Sequence, residues 1–487
     1  MRDIVETNSN LGLQIQNTYL ELPEIFMTKI DPVPVRGPKV EIINYKLAKE
    51  MGLYLDVSDE EQMAQIFSGN KVLKDCKPLA QAYAGHQFGH FTMLGDGRAV
   101  MICEHLTPDK KTIDIQLKGS GRTPYSRGAD GRAGLSPMLR EYLISEALYF
   151  LGIPTTRSLA VVSTGETVQR EFPMKGAILT RVASSHIRVG TFQYAAARND
   201  LDALSKLLTY SVNRHYPQIK NDPETPLLFL RCVMEKQIDL IMNWMRVGFI
   251  HGVMNTDNST ISGETIDYGP CAFMNTYNMN TVFSSIDSQG RYAYGNQPNI
   301  IHWNILRLAE SLINLVDVDE KKSLSKIENK ISDITSQINT KWQSMMLKKI
   351  GIEQKDSNDE QLILDLLKWM QFNKADYNNT FCNLMDLSHA EDDVFKMDDF
   401  KQWKQRWKLR VKKIDNYLDI MKKSNPLFIP RNHLVEEALS KAEEGNYDRF
   451  NKLIKILSDP YNKLPDLDSY YGTPHLDDSE YQTFCGT

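Results

Sequence analysis

Two neighbouring stretches carry the residue types of chemistry at phosphorus. His251-Gly-Val-Met-Asn-Thr-Asp257-Asn258 leads through a short spacer to Asp267-Tyr268-Gly269. Asn258 and Asp267 offer a carbonyl and a carboxylate, the oxygen donors that magnesium takes alongside phosphate. Asp257 is suited to accept a proton from an attacking hydroxyl. Asp and Asn are also common turn residues, so this stretch gains its weight from what precedes it.

Leu94-Gly95-Asp96-Gly97-Arg98 lies between two β-like runs, where glycines let backbone N–H groups approach phosphate closely. Gly-Asp-Gly also suits an ordinary hairpin turn. Lys118 ends the strand-like run Ile113–Leu117 and faces a second flexible turn, Gly119-Ser120-Gly121-Arg122. There it is a point charge for phosphate oxygens, or a solvated lysine. Glu141 is the candidate partner that would aim Lys118, with Glu146 competing because the rotation of their helix is open. Arg181 and Arg188, read as lying in a loop with Asp130-Gly131 upstream, suit bidentate recognition of a triphosphate, or surface salt bridges. Glycine turn, lysine, helix glutamate, Asp-Asn loop and Asp-x-Gly follow one another in the order of a kinase catalytic segment.

The surrounding elements fit that order. Residues 1–78 read as an N-terminal extension with a proline-rich connector, Pro32–Pro38. Residues 79–198 read as a strand-rich lobe with one prominent helix, N-capped by Ser136 and opened by Pro137. Leu139, Leu143, Ala147 and Leu151 recur along it, and Gly152 stops it. Residues 199–345 read as a helical lobe holding helices at Leu201–Tyr210 and Leu227–Val247, with a small hairpin at 259–266. Residues 346–487 read as a helical extension ending in an irregular tail. The expected fold is α+β and protein-kinase-like: two lobes, strand-rich then helical, plus extra C-terminal helices.

The 487 residues are 41% apolar and 24% charged, with a net charge of −5, which argues against a general nucleic-acid or anionic-membrane binder. No apolar run spans a bilayer and the N-terminus lacks a signal pattern, so a cytoplasmic setting is expected. Six scattered cysteines without C-x-x-C pairs speak against a zinc cage or disulfide framework. Trp403 and Trp407, interleaved with basic residues in 401–413, fit single-stranded nucleic acid. They share a helical face with Val411 and Ile414, so they read as a buried seam.

With these residues in view, the chain resembles the selenoprotein O family. The matching stretches are YAGHQFGHFTMLGDGRA (83–99), QLKGSGRTPYSRGADGRAGLSPMLREYLISEA (116–147), TRVASSHIRVGTF (180–192), HGVMNTDNSTISGETIDYGPCAF (251–273) and the tail pattern at 431–461. The resemblance implies a kinase-like enzyme that binds ATP in a flipped orientation and transfers AMP to Ser, Thr or Tyr hydroxyls of proteins. It implies nucleotide contacts from Gly95, Gly97, Arg98, Lys118, Asp130, Gly131, Arg181, Arg188 and Asp267, with Asp257 as proton acceptor. Asn258 and Asp267 would hold Mg2+ (or Mn2+), and Glu141 would pair with the lysine. Some bacterial relatives are described as using UTP with manganese. Adjacent Asp257 and Asn258 depart from the kinase spacing, and that departure is shared by the family. The resemblance further implies a redox-sensitive pair between Cys271 and Cys485, regulatory in character. The expected partners are ATP (with UTP as an alternative donor) and acceptor proteins. A monomer is expected, without nucleic acid or membrane. A true kinase and a catalytically dead nucleotide-sensing scaffold are the competing readings.

Overall fold

The computed structural model describes residues 11–56, 58–387, 393–463, 470, 478 and 481–483. In chain order its strands are β1 (Ile15–Gln16), β2 (Met27–Lys29), β3 (Lys39–Ile43), β4 (Leu79–Gln81), β5 (Ala84–Gln87), β6 (His90–Met93), β7 (Ala99–Leu106), β8 (Thr112–Lys118), β9 (Ala133–Gly134), β10 (Arg157–Gln169), β11 (Pro173–Ala183), β12 (Phe249–Ile250) and β13 (Ala272–Phe273). Nine of them form one antiparallel sheet in the order β2-β4-β7-β8-β11-β10-β3, with β1 on β7 and β9 on β11. β1, β2 and β3 come from the segment that precedes residue 79, so this segment is woven into the sheet. β5 and β6 stand apart as a two-stranded ribbon.

The sheet is apolar on both faces because alternate residues serve different cores. Ile115, Val162 and Val182 pack on one side with Leu47, Met63 and Phe67 from α1 (Tyr45–Glu50) and α2 (Glu60–Phe67). Val161 and Leu179 face the other side, under α3 (Leu135–Phe150). α3 is buried nearly all round, as expected of a helix that is apolar on every side. It starts earlier than Ser136. Gly134 is its N-cap and Pro137 sits in the first turn, where a missing N–H costs no intrahelical bond.

The helical part comprises α4 (Val189–Ala197), α5 (Leu201–His215), α6 (Thr225–Val247), α7 (Gln297–Val316), α8 (Glu320–Ile331), α9 (Ile334–Lys349), α10 (Asp359–Phe372), α11 (Tyr377–Leu384), α12 (Asp398–Val411), α13 (Tyr417–Ser424), α14 (Asn432–Glu443) and α15 (Asp448–Leu457). The result is an α+β fold, with a strand-rich part followed by a helical one. α14 and α15 return to cover α3, where Phe450 packs on Tyr142. No described helix is long and apolar enough to cross a membrane.

The expected hairpin at 259–266 is absent. Thr260 bridges to Arg188 and Thr265 to Thr155, while Thr260 Oγ1 donates to Glu264 O across the turn. Neighbouring backbone outcompetes pairing within so short a segment. The tryptophan seam on α12 is buried: Trp403 Nε1 donates to Leu362 O and Trp407 Nε1 to Ile350 O, each at 2.8–2.9 Å. Trp407→Ala should cost about 3–5 kcal/mol, read as a lower urea midpoint.

Candidate functional site

Strand alternation and one helix assemble the site. Gln116 and Lys118, two residues apart on β8, point to the same face. Arg181 lies opposite Gln116 in the β8–β11 register, so it joins them. Arg181 is therefore a strand residue rather than a loop residue, because 177–183 continues β11 as an unbroken buried run. α3 covers this face and contributes Glu141, whose Oε2 accepts from Lys118 Nζ at 2.6 Å. The rival Glu146 is turned to Arg157 (2.7 Å) and Asn44 instead.

The opposite wall comes from the loop between β12 and β13. The antiparallel pairing of Phe249 with Phe273 and of Ile250 with Ala272 closes that loop at its base. His251 holds it from within: Nε2–H donates to Ile266 O at 2.8 Å and Nδ1 accepts from Val253 N. Burial lowers its pKa, so the ring is neutral and structural. Its tether precedes Asp267, whose φ of 63° is uncommon for a residue with a side chain.

Three cations converge on the Asp267 carboxylate. Lys118 Nζ reaches Oδ1 at 2.7 Å, Arg181 Nη1 reaches Oδ1 at 2.6 Å, and Arg188 Nη1 reaches Oδ2 at 3.0 Å. Burial opposes its ionisation, but Lys118, Arg181 and Arg188 together hold its pKa well below the usual range. Arg188, the N-cap of α4, also donates to Asp257 O at 2.7 Å and lies over the Tyr83 ring at 4.4 Å.

Asp257 and Asn258 sit on a short 3-10 turn, Thr256–Asn258. Burial pushes the Asp257 carboxyl up to about 6, partly offset by Arg188, and its buried Oδ1 has no hydrogen-bond partner among the described residues. Asn258 Nδ2 donates to Val253 O at 2.9 Å, leaving Oδ1 as the free end of the amide. The described residues contain no group of three or more His, Cys, Asp or Glu side chains able to cage a metal. A cation here would thus take Asn258 Oδ1 and Asp267 as its protein donors and draw the rest from phosphate and water, the usual habit of magnesium.

Gly95, Gly97, Arg98, Lys118, Asp130, Gly131, Arg181, Arg188, Asp257, Asn258 and Asp267 all line one cleft of about 780 Å³, a size suited to a nucleotide. Gly95 and Gly97 are needed for close packing: a Cβ on either would collide with Tyr125. Their turn joins strands of different sheets, so it is not a hairpin. Asp130, at the rim, is paired with Arg170 at 2.9 Å.

Two cleft residues, Asp96 and Tyr83, escaped the sequence reading, as did the buried Gln116 behind them. Asp96 accepts from Gln116 Nε2 at 3.0 Å and Gln81 N at 3.2 Å, and burial pushes its carboxyl up to about 6. Gln116 Oε1 in turn accepts from Arg181 Nη2 at 2.6 Å. Tyr83 backs Arg188. Gln116 was discoverable, since it precedes Lys118 by one strand period.

Cys271 is buried, with its thiol pushed up to about 12 by burial, and Cys485 lies outside the described residues. Thr483 Oγ1 donates to Pro270 O, beside Cys271, at 2.7 Å.

A buried strand lysine paired to a helix glutamate, facing an Asp-Asn turn and a clamped Asp-x-Gly aspartate, defines a kinase-like nucleotide-using transferase. The profile described as "Protein adenylyltransferase SelO" matches residues 9–458, and the chain belongs to that family. Its relatives include proteins named "Protein nucleotidyltransferase YdiU". The one from Nitrosococcus oceani is 51% identical over 99% of this chain and 98% of its own length. That from Geobacillus kaustophilus is 50% identical over 98% and 99%, and that from Pelagibacter ubique 51% over 98% and 100%. The chain is accordingly a nucleotidyltransferase. Among solved structures, ROP2 from Toxoplasma gondii, described as having a protein-kinase fold and no enzymatic activity, aligns at 8% identity over 68% of this chain and 87% of that one, with a TM-score of 0.23. So loose a superposition carries no argument.

The raised Asp257 pKa has a signed consequence. Between the ordinary carboxyl value of 3.8 and about 6, the folded state keeps a proton that the unfolded chain has released. Stability from this group is therefore full below about pH 4 and lost as pH rises through about 6. Asp257→Asn cannot ionise. It should melt higher than the parent at about pH 8 and nearly the same at about pH 4, by calorimetry.

Proposed function

We propose that the chain transfers AMP from ATP to Ser, Thr or Tyr hydroxyls of other proteins and releases pyrophosphate, with UTP as an alternative donor. The observation that carries this reading is the convergence of Lys118, Arg181 and Arg188 on one carboxylate beside Asp257. Attack at the α-phosphorus breaks its bond to the bridging oxygen, and negative charge grows on the departing pyrophosphate. Three fixed cations stabilise that charge without reorganising. Asp257, largely deprotonated near neutrality, takes the proton of the acceptor hydroxyl as the new oxygen–phosphorus bond forms.

In this reading Gly95, Gly97, Arg98, Asp130 and Gly131 frame the nucleotide, and Glu141 aims Lys118. Asn258 and Asp267 would hold Mg2+ or Mn2+, which when bound would offset the negative charge of the phosphates. Cys271 and Cys485 form the regulatory pair. Peptide mapping of the oxidised protein should recover them disulfide-linked, and finding both free overturns the pair.

ATP labelled at the α or the γ phosphorus tests the transfer. Label should reach protein from the α position only, with pyrophosphate released. Label arriving from the γ position alone overturns the reading in favour of a kinase. Asp257→Ala should lower turnover by about 10²–10⁴-fold while nucleotide affinity, measured by calorimetry, stays within a few-fold.

A further inference from the structure

The β5–β6 ribbon is fixed to the catalytic turn. His86 N donates to Thr256 Oγ1 at 2.8 Å, and Phe88 N donates to Asn255 Oδ1 at 3.1 Å. Tyr292, packed against Phe88, donates its hydroxyl to the same Asn255 oxygen at 2.5 Å. A Cβ at Gly85 would collide with Asp257 Oδ1, so β5 lies directly on the aspartate. Any chain held by the ribbon is thereby held in register with Asp257.

The outer strand β6 has no further strand beside it among the described residues. Leu94 N donates inward to Tyr83 O, and Thr92 lies opposite Gly85. By alternation, Phe91 and Met93 present their N–H and C=O groups outward. Both side chains stand on one face of the ribbon, each 43% exposed. An unpaired edge carrying apolar side chains, with neither proline nor lysine to guard it, is a template for another strand. Beside the ribbon tip, Arg291 lies over the Trp303 ring at 4.9 Å and makes no ion pair with a carboxylate among the described residues. Its Nε is buried without a partner. The half-exposed aromatic strip of Phe91, His86 and Trp303 is continuous with it.

We propose that the acceptor protein docks here: an extended, alternately apolar segment adds to the edge of β6 as a third strand, with an acidic residue paired to Arg291. Main-chain bonds to β6 supply affinity, and Phe91, Met93 and Arg291 supply preference. The docked segment runs past the ribbon so that its hydroxyl-bearing residues turn into the cleft at Asp257. This rests on the protein-transfer reading above.

Short synthetic peptides with one hydroxyl residue test it, alternately apolar or polar, with Asp or Lys at the end. The parent enzyme should label the apolar, acidic peptide with a KM about tenfold below that of the others. Phe91→Asp should raise that KM about tenfold with kcat held within about twofold. Arg291→Glu should shift preference to the Lys peptide. In both variants, affinity for an ATP analogue with a non-cleavable α,β bridge should match the parent. Amide exchange at Phe91 and Met93 should slow when peptide is added. Equal labelling of all peptides, or KM values untouched by both substitutions, overturns the docking and leaves the transfer reading standing. Protection confined to another surface does the same. Label on no peptide, with ATP-analogue binding intact, overturns the transfer reading and the docking with it.

Discussion

The structure is organised around a buried charge cluster. Lys118, Arg181 and Arg188 are almost wholly removed from solvent, and their carboxylate partners are Glu141 and Asp267, with Asp96 at a longer 3.8 Å. Ions taken out of water cost several kcal/mol each unless geometry and hydrogen bonding compensate. Every element near the cluster contributes to that compensation. The β8–β11 register aligns Gln116 with Arg181, α3 brings Glu141, and the His251 tether holds Asp267. The three cations also line the cleft, where they would face an anion. A triphosphate would meet groups already desolvated and oriented, so less ordering is left for the binding step.

Much of this was readable before any coordinates, because the residues lie in long, unusual strings. Lys118, Glu141, Arg188, Asp257, Asn258 and Asp267 were all singled out from type and spacing, and they line one cleft. What sequence left open was rotation and pairing. Glu141 and Glu146 both sit on α3, and only the position of Arg157 on β10 decides which one turns to Lys118. Arg181 read as a loop residue since TRVASS has no strong alternation. It is a strand because both faces of β11 are covered, which removes the alternation itself. The hairpin at 259–266 failed for a related reason: its residues are recruited by Arg188 and Thr155, far away in sequence. Asp96 was not legible as a site residue because Gly-Asp-Gly also suits an ordinary turn, although its carboxylate links Gln81 and Gln116.

The two sides of the cleft differ in how they are built. The nucleotide side is sheet and helix, fixed by register and by burial of α3. The Asp257 side is loop and ribbon, fixed by side-chain bonds from Asn255, Thr256 and Tyr292. Loops carried on a rigid scaffold are where chemistry usually sits, and here the ribbon ties the loop down through Asn255 and Thr256.

The cover over α3 has a temporal meaning. Arg140 on α3 pairs with Glu436 on α14, 296 residues later, and Phe450 packs on Tyr142. A ribosome adding about 5–20 residues each second needs roughly 15–60 s to cross that gap. Throughout that interval the helix that aims Lys118 has one apolar side bare. The nascent chain must keep that side from sticking elsewhere, and the helix that holds Lys118 is fully covered only after α14 and α15 have been added.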